Sequence, residues 1–160
     1  MVSVLLLFLI VCGDAQFSHL IQSIVEPVGA LRYMDMTENG EILAVRDNEN
    51  LFLYSNNGSL FQKKQEFDLG CTMCAVDITA DGEWMLVVQK SSPFHVYRYD
   101  HTLDQYQLFQ EIQINEKTSR GGAMTDDHQW LVLPKNNERV HIYTFDGTKF
   151  VHFQTLHTEF

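Results

Sequence analysis

Ala75-Val76-Asp77-Ile78-Thr79-Ala80-Asp81-Gly82-Glu83-Trp84-Met85-Leu86-Val87-Val88 reads as a strand, a tight turn and a second strand. An Asp-Gly pair between apolar runs is a strong hairpin signal, because a type I′ turn needs positive φ at both central residues. The run Trp84–Val88 is apolar throughout, which suits a strand buried on both faces. The same pattern stands on either side of this stretch. Tyr33-Met34-Asp35-Met36-Thr37 leads through Asn39-Gly40 into Ile42–Val45, and Gly121-Gly122-Ala123-Met124-Thr125 leads through Asp127-His128 into Trp130–Leu133. Histidine stands where the third turn should have glycine, which predicts a longer turn or one of another type.

Two further strands complete each unit. Leu51–Tyr54, Phe94–Tyr99 and Val140–Phe145 follow a polar loop and keep Tyr54, Tyr97 and Tyr143 in step. The last strands, Leu60–Leu69, Tyr106–Ile114 and Phe150–Leu156, each carry glutamine two residues before a large apolar residue. With an earlier copy the set is Gln22-Ser23-Ile24, Gln65-Glu66-Phe67, Gln110-Glu111-Ile112 and Gln154-Thr155-Leu156, at intervals of 43, 45 and 44 residues. No segment repeats its apolar residues at helical spacing. Four strands per unit of about 44 residues is the period of a β-propeller blade. The predicted fold is therefore all-β: a partial β-propeller of about three four-stranded antiparallel blades, near 31–69, 73–114 and 120–156. Trp84 and Trp130, at matching places on second strands, are expected in the core between blades.

The turn and strand of the middle unit, Val76 to Val88, resemble a WD40-like or YVTN-type propeller repeat, as found in secreted and lactonase-like propellers. The fourth strands, with Phe150-Val151-His152-Phe153-Gln154 as the clearest case, are similar to epitempin-type repeats of secreted interaction proteins. The likeness runs from about Phe17 to the C-terminus. The Trp-Asp dipeptide and Gly-His pair of true WD40 repeats are absent, so it holds at the level of the superfamily.

Strand order adds a sharper expectation. The chain opens with an extra N-terminal strand of the fourth type, about 19–26, before any first strand appears. Closed propellers commonly use such a strand as a clasp for their last blade, yet the blade ending at Leu156 already owns a fourth strand. The extra strand is thus expected to lack a partner in this chain, and bare strand edges invite pairing. A longer protein, assembly with a second copy or another chain to complete a ring, or an open stack would each resolve the mismatch.

Residues 1–15 read as a secretory signal, with an uncleaved short anchor or a buried strand as the alternatives. Val2–Val11 is an apolar run of h-region length, and Gly13 and Ala15 suit cleavage before Gln16, although no charged n-region precedes the run. A bilayer span needs roughly 20 apolar residues, so no membrane span is expected once the leader is removed. The domain is then 16–160, and the expected compartment is extracellular or the secretory lumen. Loss of Asp14 with the leader leaves 20 acidic and 11 basic side chains, a formal charge of −9. That balance argues against nucleic acid, whose binding rests on clustered cations. Two cysteines remain, Cys71 and Cys74, a candidate disulfide in an oxidising lumen. Inert thiols and redox chemistry are the alternatives, the latter disfavoured because the pair lies between strands rather than at a helix N-terminus. Asn57-Gly58-Ser59 is a candidate N-glycosylation site on a loop.

No catalytic signature stands out, neither a G-x-S-x-G elbow nor H-E-x-x-H, a P-loop or an EF-hand. His95 and His141 hold equivalent third-strand positions and could share a metal, but packed or surface histidines are the simpler reading, as for His152 and His157. Asp126-Asp127 and Asp47–Asn50 offer oxygen to calcium, with turn and loop chemistry as the simpler reading. No metal or cofactor is expected. Asp35 and Asp77 recur on the first strands and are the first candidates for a channel lining, a series that Ala123 breaks. The expected function is a non-catalytic binding or scaffold module for a protein or glycan. The alternative is the N-terminal part of a lactonase-like or hydrolytic propeller enzyme.

Overall fold

Second strands that are apolar on both sides leave every sheet with two faces to bury, and stacking the sheets is the solution this chain adopts. The computed structural model describes residues 3–6, 23–26, 31–70, 74–89, 93–114, 121–135 and 139–157. At the N-terminus β1 (Ser3–Leu6) pairs with β2 (Ser23–Glu26). The first blade is β3 (Tyr33–Met36), β4 (Ile42–Arg46), β5 (Asn50–Asn56) and β6 (Phe61–Asp68). The second is β7 (Cys74–Ile78), β8 (Trp84–Gln89), β9 (Phe94–Asp100) and β10 (Gln105–Ile112). The third is β11 (Ala123–Met124), β12 (Trp130–Lys135), β13 (Arg139–Phe145) and β14 (Phe150–His157). Each blade is a four-stranded antiparallel meander in sequence order, and none of the described residues is helical. The chain has the partial-propeller fold that its period predicts.

The core lies between sheets. Along β8 the pleat sends Trp84, Leu86 and Val88 toward the third blade, where they meet Met124, Leu131, Leu133, Tyr143 and Phe150. Met85 and Val87 point the other way and join Ala44, Leu51 and Leu53 of the first blade. A third cluster sets Ile24 of β2 against Leu43, Val45, Phe52, Tyr54 and Phe61 on the far face of the first blade. β2 thus packs as the outer strand of a preceding sheet would. The expected strand near 19–26 is observed at Ser23–Glu26, and it is not without a partner: β1 pairs along its edge from Ser3 to Leu6. The residues around the expected cleavage point lie outside the described ones. Gly122 lets the second and third blades close up, since a Cβ there would stand 2.8 Å from Val88 and 3.0 Å from Leu86.

All three inner turns have one geometry. Gly40, Gly82 and His128 each donate a backbone hydrogen bond to Thr37, Thr79 and Thr125, at 2.9, 2.8 and 2.8 Å. Positive φ is confined to that last residue (70°, 75° and 59°), so these are not the type I′ turns expected from the dipeptides. The cause is a side-chain lock. The threonine hydroxyl accepts from the N–H that opens the second strand and donates to Asn39, Asp81 or Asp127, which in turn accepts from the N–H two residues on. The third turn is therefore neither longer nor different. His128 takes the glycine conformation, which costs a non-glycine residue about 1–2 kcal/mol. Its ring lies 6.0 Å from Trp84, and its Nε2 is 3.0 Å from Asp81 Oδ2.

Candidate functional site

The first strands of successive blades approach one another, and the acids on them tie the blades together. Asp35 Oδ2 accepts from the Ile78 N–H at 3.0 Å, while its Oδ1 accepts from Met36. Asp77 Oδ2 accepts from the Met124 N–H at 2.9 Å. Asp126 Oδ1 accepts from the Ala80 N–H at 3.0 Å, which accounts for this acid without a metal. Ala123, exposed, is where the series ends. Asp35 is fully committed to backbone donors, but Asp77 is not: its Oδ1 has no partner among the described residues. Burial pushes the Asp77 carboxyl above its ordinary 3.8, against the pull of the Met124 hydrogen bond and with help from the Asp35 and Asp126 charges. Tyr33, more than a third exposed on the same strand as Asp35, has its phenol raised by burial and by Asp35 and Asp77. A half-buried carboxyl with one oxygen fixed and the other open, beside a phenol and a second acid, is arranged to accept a proton from water or a hydroxyl group.

The outer strands are tied by a device that the sequence displays in full, although its role is not legible there. Each carries a β-bulge that skips one residue, between Lys63 and Gln65, Leu108 and Gln110, and His152 and Gln154. The glutamine just past the bulge is re-aimed at the next blade. Gln65 donates to the Tyr106 carbonyl and accepts from its N–H, both at 2.9 Å. Gln110 does the same to Phe150, at 2.9 and 2.8 Å. The period that reveals the fold is thus the spacing of an amide clamp. The bulged Lys64 adds an ion pair to Asp104 on the neighbouring hairpin, 2.6 Å away and itself bonded to Tyr99. Beside that hairpin, Arg98, Asp100, His101, Gln107 and Phe109 line a shallow recess of about 390 Å³, open to solvent and on the outer rim.

The remaining candidates separate. His95 sits 3.5 Å from Glu111, and His141 shares Thr155 with His152, so the two equivalent histidines have different partners. Burial and nearby cations lower the His141 pKa. Among the described residues no three His, Cys, Asp or Glu side chains gather in a metal-binding group. Asp47 Oδ1 accepts from the N–H groups of Glu49 and Asn50, at 2.8 and 2.6 Å, closing its loop. Asp127 and Asn57 serve their turns likewise, and Asn57 is exposed. Cys71 and the side chain of Cys74 lie outside the described residues. Trp84 is 4% exposed and holds the expected core position, but Trp130 is 36% exposed, because no further sheet covers its side among the described residues.

No protein-family profile and no curated protein matches the chain. Solved structures do. A candidate 6-phosphogluconolactonase from Bacteroides fragilis superposes with a TM-score of 0.69 at 11% identity, over 86% of this chain and 42% of that one. A periplasmic gluconolactonase from Pseudomonas aeruginosa gives 0.64 at 13%, over 82% and 41%. Hydrazine synthase from Kuenenia stuttgartiensis gives 0.60 at 14%, over 91% and 40%. The chain spans less than half the length of each, and at such identities the likeness is one of fold. That fold is the β-propeller, of which this chain holds three blades.

Proposed function

We propose that this chain is a segment of a lactonase-like propeller and that Tyr33, Asp35 and Asp77 form the polar site on its inner strands. The observation that carries the reading is the uncommitted Oδ1 of Asp77, on a carboxyl that burial has made more basic. In this role Asp77 takes a proton from water, the water oxygen bonds to the lactone carbonyl carbon, and the ring C–O bond breaks. The proton then passes to the departing alkoxide. Of the similar structures named above, one is a periplasmic gluconolactonase and another a candidate 6-phosphogluconolactonase, so a sugar lactone is the substrate class to try first. Purified native protein should open glucono-1,5-lactone in a pH-stat faster than buffer does. Asp77→Asn, which keeps an acceptor for Met124, should lower that rate by roughly 10²–10⁴. Wild-type protein no faster than buffer would refute the reading.

A second reading has its own support. Asp35 is spent on two backbone donors and Ala123 supplies no acid, so the inner strands hold one uncommitted carboxyl rather than a ring of them. That pattern favours a non-catalytic module that holds a protein or glycan. We place either function in the secretory lumen or outside the cell, with residues 1–15 removed and the β2 edge that β1 pairs with thereby opened, Asn57 glycosylated and Cys71 bridged to Cys74. Mass spectrometry of the secreted chain, before and after amidase deglycosylation and thiol alkylation, tests all three marks.

A further inference from the structure

The strand register of the third blade gathers basic side chains around His141 and, among the described residues, sets no acid beside them on that face. His141 lies between Leu133 of β12 and Thr155 of β14, on the face turned toward the second blade. The next row along the same face is Lys135, Arg139 and His157, and the row on the other side brings His152 opposite Tyr143. Thr155 Oγ1 stands 3.0 Å from His141 Nδ1 and 2.9 Å from His152 Nε2, with the two rings 5.6 Å apart. The other ring nitrogen of His141, Nε2, is buried and has no hydrogen-bond partner among the described residues. The repeat supplies the contrast. At the same position the first blade has Phe52, opposite Glu66, and the second has His95, 3.5 Å from Glu111. The third blade alone of the three sets a histidine there with a hydroxyl where the others have an acid.

One hydroxyl hydrogen serves two imidazoles. Thr155 donates to one ring and accepts an N–H from the other, so the trio is satisfied while both rings are neutral. A proton added to His141 puts hydrogen on both of its nitrogens. Nδ1–H then donates to Thr155, but Nε2–H is left buried without an acceptor, and the new charge stands among basic groups. Burial first, and then Lys135, His152 and Arg139, hold the His141 pKa below its ordinary 6.5. The facing side of the second blade does not offset this. Among the described residues β8 and β10 present no charge there, β7 presents Asp77, tied to the inner strand through Met124, and β9 presents Arg98, over Trp84, and Asp100, bonded to its own hairpin. We propose that His141, Thr155 and His152 form an acid-sensitive latch on the third blade, closed while His141 is neutral and released when it takes a proton. Release loosens β13 and β14 against the second blade. A folded-state pKa below the unfolded one means that stability is present above pH 6.5 and is lost as pH falls toward the folded value. Histidine is the side chain whose ordinary titration lies in the physiological range, so modest acidification is enough to work the latch. The proposal does not depend on the chemistry at Asp77.

Amide hydrogen exchange of the full chain, corrected for its intrinsic pH dependence, should show β13 and β14 opening more as pH falls from 7.5 to 5. The opening equilibrium should rise by up to about tenfold for each unit between the folded and unfolded pKa values. His141→Phe, which installs the residue of the first blade, should remove that rise. Thr155→Glu, which installs the acid of the other two blades, should remove it as well by giving the imidazolium a partner. His95→Phe, at the same position of the second blade, should leave the rise in β13 and β14 intact. Magnetic resonance of the imidazole rings should place the His141 titration below pH 6.5 in wild type and higher in Thr155→Glu. Equal opening of β13 and β14 at the two pH values overturns the proposal, as does a rise that persists in His141→Phe. A wild-type His141 that titrates at or above pH 6.5 overturns it too, and that measurement needs no variant to fold.

Discussion

Asp77 shows how one side chain can serve packing and remain chemically poised. Its bond to Met124 N–H holds two blades together, and a neutral amide could accept that bond equally well. Its charge, by contrast, is held against desolvation and beside Asp35 and Asp126, so its pKa lies above the ordinary 3.8. A group with a raised folded-state pKa contributes stability that is fully present below the unfolded value and is lost as pH rises through the folded one. Replacing Asp77 with Asn removes that loss while keeping the acceptor. The variant is expected to match the parent in urea midpoint below pH 3.8 and to exceed it at pH 7. A variant less stable than the parent at pH 7 would mean that the ionised carboxylate is what Met124 requires.

At the scale of the element, the bulge and its glutamine determine whether neighbouring outer strands hold together. Gln110 satisfies both the N–H and the carbonyl of Phe150 at a partly buried place, so Gln110→Ala deprives one donor and one acceptor at once. Two net hydrogen bonds correspond to about 1–3 kcal/mol. Chemical denaturation should show that loss for Gln110→Ala, and Gln154→Ala should show almost none. The repeat that defines this element was plain in the sequence because both the clamp and the apolar residue two places on, Phe67 or Ile112, face the next blade. Turn geometry was not legible. Asn-Gly and Asp-Gly permit a type I′ turn, but the preceding threonine decides against it by locking the strand opening with its hydroxyl. Histidine at the third turn misled for the same reason: the lock fixes the backbone, and residue 128 conforms. Of the site, Asp35 and Asp77 stood out as a series. That one would be spent and the other half-free depends on which N–H groups the next blade presents, and no local pattern records that.

In the whole molecule, the value of a residue depends on whether a sheet lies over it. Trp84 and Trp130 occupy the same repeat position and carry the same edge-on phenylalanine, so sequence alone gives them equal weight. Trp84 also meets Phe145 and Phe150 of the third blade, each at 5.7 Å, and Arg98 lies 5.3 Å from its ring. Truncating it opens a cavity in the largest cluster, where such changes cost about 3–5 kcal/mol. Trp130 has solvent on the side where Trp84 has a blade, and removing it leaves a dent rather than a void. Equilibrium unfolding should therefore place Trp84→Ala about 3 kcal/mol or more below wild type, and Trp130→Ala within about 1 kcal/mol of it. Equal losses from the two would mean that the third blade's outward face is covered, and that the stack continues past Trp130 in a way the described residues do not contain.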